Sequence, residues 1–200
     1  MAAWNKSIKK NVMKLNNTYY ILRHGQALSN VKGFISSFPE KTENPLTEEG
    51  VLQAKKAGQD LQNEKIDLIF SSDVLRAKQT AEIVAKSFNK NVELDARLRE
   101  IDFGIFNSKP IADLVGHFEN KDRITEKSHK GESYKDILKR MESFLTELEK
   151  KYKNKKILLV SHQAPLFILE GIFLGFPLEK SVEFFTDGKL LSNCQFKKFN

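Results

Sequence analysis

The sequence predicts an α/β fold, a three-layer α/β/α sandwich whose central sheet is mainly parallel with an antiparallel edge. Three observations predict it. Short apolar runs alternate with segments whose apolar residues recur at helical spacing, the pattern of repeated βα units. One run, Lys156 to Ser161, is continuously apolar inside its ends, as in a strand covered on both faces. Near the end of the chain two further strand-like runs flank Asp187-Gly188, and their hairpin supplies the antiparallel edge.

In chain order, Thr18 to Leu22 is rich in β-branched and aromatic residues and reads as the first strand. A polar stretch punctuated by Gly and Pro follows, from Gly25 to Pro45. Thr47 is an N-cap, with Glu48 and Glu49 favourably placed on the helix dipole and Val51, Ala54, Gly58 and Leu61 at helical spacing. Ile66 to Phe70 is a buried strand that runs into Ser71-Ser72. A helix from about Asp73 presents Val74, Ala77, Ala81, Val84 and Phe88 on one face, and Val92 to Leu98 is the next strand. Asn107 to Lys130 is polar and at best short-helical. Ser133 caps a strong helix with Ile137, Met141, Phe144, Leu145, Leu148 and Tyr152 as its apolar stripe. After the strand at 156–161, Pro165 to Leu174 forms a helix, and Val182 to Thr186 and Leu190 to Lys198 are closing strands.

Two hundred residues, 40% of them hydrophobic, suit one globular domain over 17–200, with a short cap insertion at about 105–130. Residues 1–16 read as a flexible basic N-terminal extension. Lys6, Lys9, Lys10 and Lys14 supply four of the seven net positive charges before any acidic residue appears, so the rest of the chain carries only +3. That distribution suits a solvated tail, and no nucleic-acid partner is expected. Nor is a membrane. The longest apolar neighbourhood, Ala164 to Phe176, contains Glu170 and falls short of the roughly 18 to 20 residues a spanning helix needs. No secretory signal opens the chain, and Cys194 is the only cysteine, so a cytoplasmic location is expected.

In a sheet of this kind, sites form at the carboxyl ends of strands. Three such ends carry chemically capable residues: Arg23-His24, Ser71-Ser72 and Ser161-His162. A lone histidine is more often structural than catalytic. His24, however, follows an arginine whose planar fork suits phosphate oxygens, and it precedes a glycine that permits close backbone approach. A neutral imidazole there is able to attack phosphorus and carry the group covalently. His162 reads either as a strand-cap histidine or as a donor to transferred phosphoryl oxygens. Arg76, on the first turn of its helix, is placed to reach back over the sheet edge. Phosphoryl transfer also needs a proton for the leaving alkoxide and a base for water. Glu100 and Asp102 both qualify, and spacing does not choose between them. Phe34, Phe38, Phe103 and Phe106 lie near these motifs and are candidates for an apolar wall or for core. No metal site is expected: His117 and His129 lack ligand company and read as surface residues. No Gly-rich phosphate loop is present either.

Together these segments resemble the histidine phosphatase superfamily, in the branch that includes the phosphoglycerate mutases. The resemblance rests on Leu22-Arg23-His24-Gly25 with Asn30, on Asn44-Pro45-Leu46-Thr47 with Gly50, and on Ser71-Ser72 through Arg76-Ala77-Gln79-Thr80-Ala81. It continues in Leu98-Arg99-Glu100-Ile101 with Phe103-Gly104, Gly131-Glu132-Ser133 and Val160-Ser161-His162. The resemblance implies a phosphohistidine on His24, with Arg23, Arg76 and His162 gripping the phosphate. It implies Glu100 as the proton donor, Asn30 and the backbone amide of Gln163 as further phosphate contacts, and no metal or cofactor. Departures are visible: Gln163 stands where glycine or alanine commonly follows the second histidine, and Ile105-Phe106-Asn107 where relatives often carry Trp-Glu-Gly. The segment from Gly25 to Pro45 lacks the tryptophan of glycolytic mutases, and the cap is short. These features direct the expectation towards a phosphatase acting on a small phosphorylated metabolite. A phosphoglycerate mutase-like phosphotransferase is the alternative, and a non-catalytic binding module a third reading.

Overall fold

The computed structural model describes residues 14–115, 122–127, 130–186 and 190–200. Its sheet contains β1 (Thr18–Arg23), β2 (Leu68–Ser71), β3 (Val92–Leu94), β4 (Lys156–Ser161) and β5 (Phe196–Phe199). The order across the sheet is β3-β2-β4-β1-β5. All pairs are parallel except β1 with the edge strand β5. The helices are α1 (Leu28–Lys32), α2 (Glu48–Asp60), α3 (Leu75–Lys86), α4 (Ile111–Val115), α5 (Tyr134–Lys151), α6 (Gln163–Phe173) and α7 (Leu178–Thr186).

Alternation along the central strands divides the core into two. Tyr19, Ile21, Ile157 and Leu159 face a cluster built with Ile137, Met141, Phe144 and Leu148 of α5 and with residues of α6. Tyr20, Leu22, Leu158 and Val160 face the other way, onto Ala57, Ala77, Ala81 and Val84 of α2 and α3. A strand with two buried faces must be apolar at successive positions, which is why β4 reads as an unbroken run. The three-layer sandwich with an antiparallel edge is therefore as predicted.

Caps fix the helices that bear on the site. Thr47 accepts from the Gly50 amide, and Ser133 forms a reciprocal capping box with Asp136. Four expectations are corrected. Val182 to Thr186 belongs to the helix α7, not to a strand. Its β-branched and aromatic composition is overridden by packing, with Ser181 pressed against Gly171 of α6, where an added Cβ would lie 2.0 Å from the Ser181 oxygen. The flanking Asp187-Gly188 lies outside the described residues, and the closing strand shortens to Phe196–Phe199. The strand predicted over Val92 to Leu98 ends at Leu94, because the Asp95 side chain accepts from the Arg97 amide and starts a 3₁₀ turn over Ala96–Leu98. The stretch from Gly25 to Pro45 also contains a short helix, α1, that composition alone did not reveal.

The backbones of Gly25 and Gly50 touch. A Cβ on Gly25 would meet the Gly50 carbonyl oxygen at 2.6 Å, and one on Gly50 would meet the Gln26 oxygen at 2.0 Å. Gly25 is thus required by a neighbouring helix, not by an unusual φ. In a free helix Gly→Ala stabilises by about 1 kcal/mol; here the added methyl has no room. Gly50→Ala should destabilise the fold by roughly 1–3 kcal/mol, read from urea unfolding midpoints, and a stabilised variant would refute the close approach.

Candidate active site

The three parallel strands β2, β4 and β1 lie side by side and end level with one another. Arg23 pairs with Ser161, and Ser71 with Val160. Just beyond, the His24 amide donates to the Ser161 carbonyl at 3.0 Å and the Ser72 amide to that of Val160 at 3.0 Å. The topology thus delivers His24, Ser72 and His162 to one edge, with the His24 and His162 rings 5.1 Å apart and tilted by 59°. Arg76, in the first turn of α3, reaches them as its position suggested.

The hydrogen bonds assign the His24 tautomer. Its Nδ1 lies 2.8 Å from the Gly25 carbonyl, which can only accept, so the hydrogen sits on Nδ1. Its Nε2 then carries a lone pair, and the Arg76 Nε–H donates to that nitrogen at 3.2 Å. Burial first, then the Arg76 and Arg23 guanidinium charges, hold the His24 imidazole well below the usual histidine range, against a smaller upward pull from the Gly25 carbonyl. His162 is held down the same way, by burial first and then by Arg76, His24, Arg140 and Arg23. Its Nε2 lies 2.9 Å from the Ser72 hydroxyl, and its Nδ1 is buried without a protein partner.

Both arginines are unusually enclosed. Burial lowers the pKa of each. Arg23 Nη1 donates to the Leu191 carbonyl at 2.9 Å, while its buried Nε has no protein partner. Arg76 Nη1 donates to Glu40 Oε1 at 2.9 Å and to Ser36 Oγ at 3.2 Å, and Nη2 to the Ser36 carbonyl at 3.1 Å. A cavity of about 190 Å³ gathers Arg23, His24, Asn30, Arg76 and Glu100 with Phe34, Ile35, Phe103, Ile111 and Leu114. Two of the four phenylalanines singled out, Phe34 and Phe103, therefore line it; Phe38 faces a neighbouring cavity and Phe106 is buried.

Glu100, not Asp102, shares the cavity with His24. Asp102 lies in the adjacent hollow and accepts from the Gly104 amide at 2.8 Å. The Gln163 amide donates to Glu100 Oε2 at 3.1 Å, and the Ala164 amide to Oε1 at 3.2 Å, so the first turn of α6 meets the Glu100 carboxyl group in this structure. Gln163 lines a different pocket and not that of His24. Asn30 does line the His24 cavity; its Oδ1 accepts from the Ala27 amide at 2.9 Å. His117 and His129 lie outside the described residues, and among those described no three His, Cys, Asp or Glu side chains converge as metal ligands would.

The remaining motif residues hold this geometry. Thr80 accepts from the Gly25 amide at 3.0 Å and donates to the Arg76 carbonyl at 2.7 Å, tying the two charged segments together. Buried Asn44 exchanges two hydrogen bonds with Ser29 and fixes α1. Glu132 accepts from the Asp102 amide at 3.0 Å and its own amide donates to the Asp102 carbonyl, which anchors the segment carrying Glu100. Sequence reasoning missed Ser36, Glu40 and Asn193, whose amide donates to the His24 carbonyl at 2.9 Å. They lie on loops without a pattern of their own, and Asn193 is 169 residues from His24 in sequence.

The family model for the histidine phosphatase superfamily (branch 1) matches residues 19–198. A probable phosphoglycerate mutase GpmB from Yersinia pestis is 35% identical over 164 residues, covering 79% of this chain and 75% of the relative. Among solved structures, a mycobacterial glucosyl-3-phosphoglycerate phosphatase in complex with VO3 aligns with a TM-score of 0.80 at 25% identity, over 90% of this chain and 91% of that one. A phosphoserine phosphatase from Entamoeba histolytica, in complex with 3-phosphoglyceric acid, aligns with a TM-score of 0.75 at 26% identity, over 92% and 90%. The strand-end histidines and arginines thus sit in a fold shared with phosphoryl-transfer enzymes. The chain belongs to branch 1 of the histidine phosphatase superfamily. Among the described residues no helix is long and apolar enough to cross a membrane.

The buried imidazoles have a consequence for stability. Each titrates lower in the folded chain than in the unfolded one, where the value is about 6.5. The unfolded chain therefore binds more protons below that pH, so stability is full above it and is lost as pH falls towards the folded values. Urea unfolding between pH 6.5 and 5 should show this slope, and His162→Gln should reduce it by up to ~1.4 kcal/mol per pH unit. An unchanged slope would mean that His162 is not held neutral.

Proposed function

We propose that the chain is a phosphomonoesterase that hydrolyses a small phosphorylated metabolite through a phosphohistidine on His24. One observation carries the reading: His24 is buried and held towards its neutral form, with its Nε2 facing the Arg76 Nε–H, and it lines a cavity with Arg23, whose buried Nε lacks a protein partner. The Nε2 lone pair attacks phosphorus, an N–P bond forms and the ester P–O bond breaks. Glu100 gives its proton to the departing alkoxide. Water then attacks phosphorus, its proton passes to Glu100, the N–P bond breaks and phosphate leaves. Arg23, Arg76, His162 and Asn30 hold the phosphoryl oxygens as negative charge develops. His162 contributes through Nδ1 when the Ser72 hydroxyl donates to its Nε2. The phosphatase names of the structural neighbours support hydrolysis.

The second reading is a phosphoglycerate mutase-like transfer, favoured by the name of the sequence relatives. Phosphate release and 3-phosphoglycerate isomerisation measured side by side separate the two; efficient isomerisation would replace the first reading with the second. His24→Ala should abolish the acid-labile phosphoenzyme and lower kcat by roughly 10³-fold or more. Full activity in that variant would overturn the mechanism.

Glu40 is a competitor for the same arginine that is to hold phosphate. Glu40→Gln keeps the loop contact but removes the charge, and inorganic phosphate should then inhibit about three- to tenfold more tightly. A Ki unchanged within experimental error would show that Glu40 and phosphate do not compete.

A further inference from the structure

The cavity beside His24 has two chemically distinct sides. The polar residues are those already given to the phosphoryl group, while Phe34, Ile35, Phe103, Ile111 and Leu114 are apolar. The apolar side is a built surface. The Ile35 amide donates to the Lys109 carbonyl at 2.8 Å, the Ser108 amide to the Ile35 carbonyl at 2.8 Å, and the Ile111 amide to the Gly33 carbonyl at 2.9 Å. This short ladder, with Phe34 bridged to Pro110, fixes the segment 33–35 against 108–111. Ile111 is nonetheless 47% exposed, a large apolar side chain presented at the cavity.

The charges point the same way. Among the described lining residues Arg23 and Arg76 are the only cations, and both stand beside His24. Arg76 already shares its charge with Glu40. Arg123 places its guanidinium over Phe103 and Tyr134 at 5.1 and 4.9 Å, and Arg99 and Arg140 line the adjoining cavity on the far side of Glu100. Among the described residues, a carboxylate or second phosphate lying against this apolar side would meet hydrocarbon in place of a cation.

Resting on the phosphatase reading, we propose that the substrate is the phosphomonoester of an apolar alcohol, carrying no second anionic group, whose hydrocarbon part lies against the wall formed by Phe34, Ile35, Phe103, Ile111 and Leu114. Burial of one ring-sized group against that wall corresponds to a gain of about tenfold or more in kcat/KM.

The test compares 2-phenylethyl phosphate with 3-phosphoglycerate, both esters of primary alcohols, so that leaving-group chemistry does not decide the outcome. The full-length protein should favour 2-phenylethyl phosphate in kcat/KM by about tenfold or more. Ile111→Lys, at an exposed position, should lower that ratio severalfold by placing a cation on the wall. A preference for 3-phosphoglycerate, or a ratio that Ile111→Lys leaves unchanged, would overturn the proposal. Rapid-quench labelling of the phosphoenzyme distinguishes the two levels. Labelling of His24 by 3-phosphoglycerate alone keeps the phosphatase reading and refutes the apolar substrate. Labelling by neither ester removes both.

Discussion

One buried and one half-buried arginine stand beside two buried imidazoles, and most of the structure around the sheet edge follows from that arrangement. Enclosing like charges is unfavourable unless they are solvated by protein dipoles or countercharge. The Leu191 and Ser36 carbonyls supply dipoles, and Glu40 supplies countercharge to Arg76. What remains is a positive potential that adds to burial, the larger cause, in holding His24 and His162 below the usual histidine range. The arginine charges thus act with burial to disfavour protonation of the histidine beside them, which keeps its lone pair.

Such an arrangement survives only on a rigid support. Level ends of three parallel strands set the positions of His24, Ser72 and His162 to within one peptide unit of the sheet. The Gly25–Gly50 contact then presses the amino end of α2 onto the loop after His24, while Thr80 clips that loop to the carbonyl of Arg76. The last segment of the chain closes the other side, through the Leu191 carbonyl, the Asn193 side chain and the Cys194 amide. Conformational freedom is thus removed from these strand-end side chains by the fold itself, which is the condition for electrostatic preorganisation.

Much of this was legible in the sequence because the physics is local or periodic. The stripe of α5 and the unbroken run of β4 announce how many faces each element buries. Thr47 and Ser133 announce helix starts through their own side chains. His24, Arg23, Arg76, His162 and Glu100 were recognisable as a set because strand ends and motif order group them. The misreadings have an equally physical source. Val182 to Thr186 has strand composition, but its fate is decided by the Ser181–Gly171 contact, which no local propensity records. Asp95 ended β3 through a side-chain turn that the alternation of Val92, Leu94 and Leu98 with charged residues conceals. Glu40 and Asn193 act on the site across 36 and 169 residues of sequence, where nothing short of the fold brings them near.

The amide of Gln163 carries the argument a step beyond the resemblance. The family pattern suggested that the amino end of α6 greets the phosphate, as helix amino ends often do. In this chain the Gln163 and Ala164 amides hold the Glu100 carboxyl oxygens instead, with the Ile101 amide on the same group at 2.9 Å. Ser161 completes the link by donating to the Leu98 carbonyl at 2.6 Å. The segment that carries Glu100 is therefore fastened directly to the strand and helix that flank His162. Sheet edge, second histidine and carboxylate form one unit, so a shift in α6 would move the carboxylate and the second imidazole together relative to His24. In that sense α6 serves the site by aligning two side chains with one another.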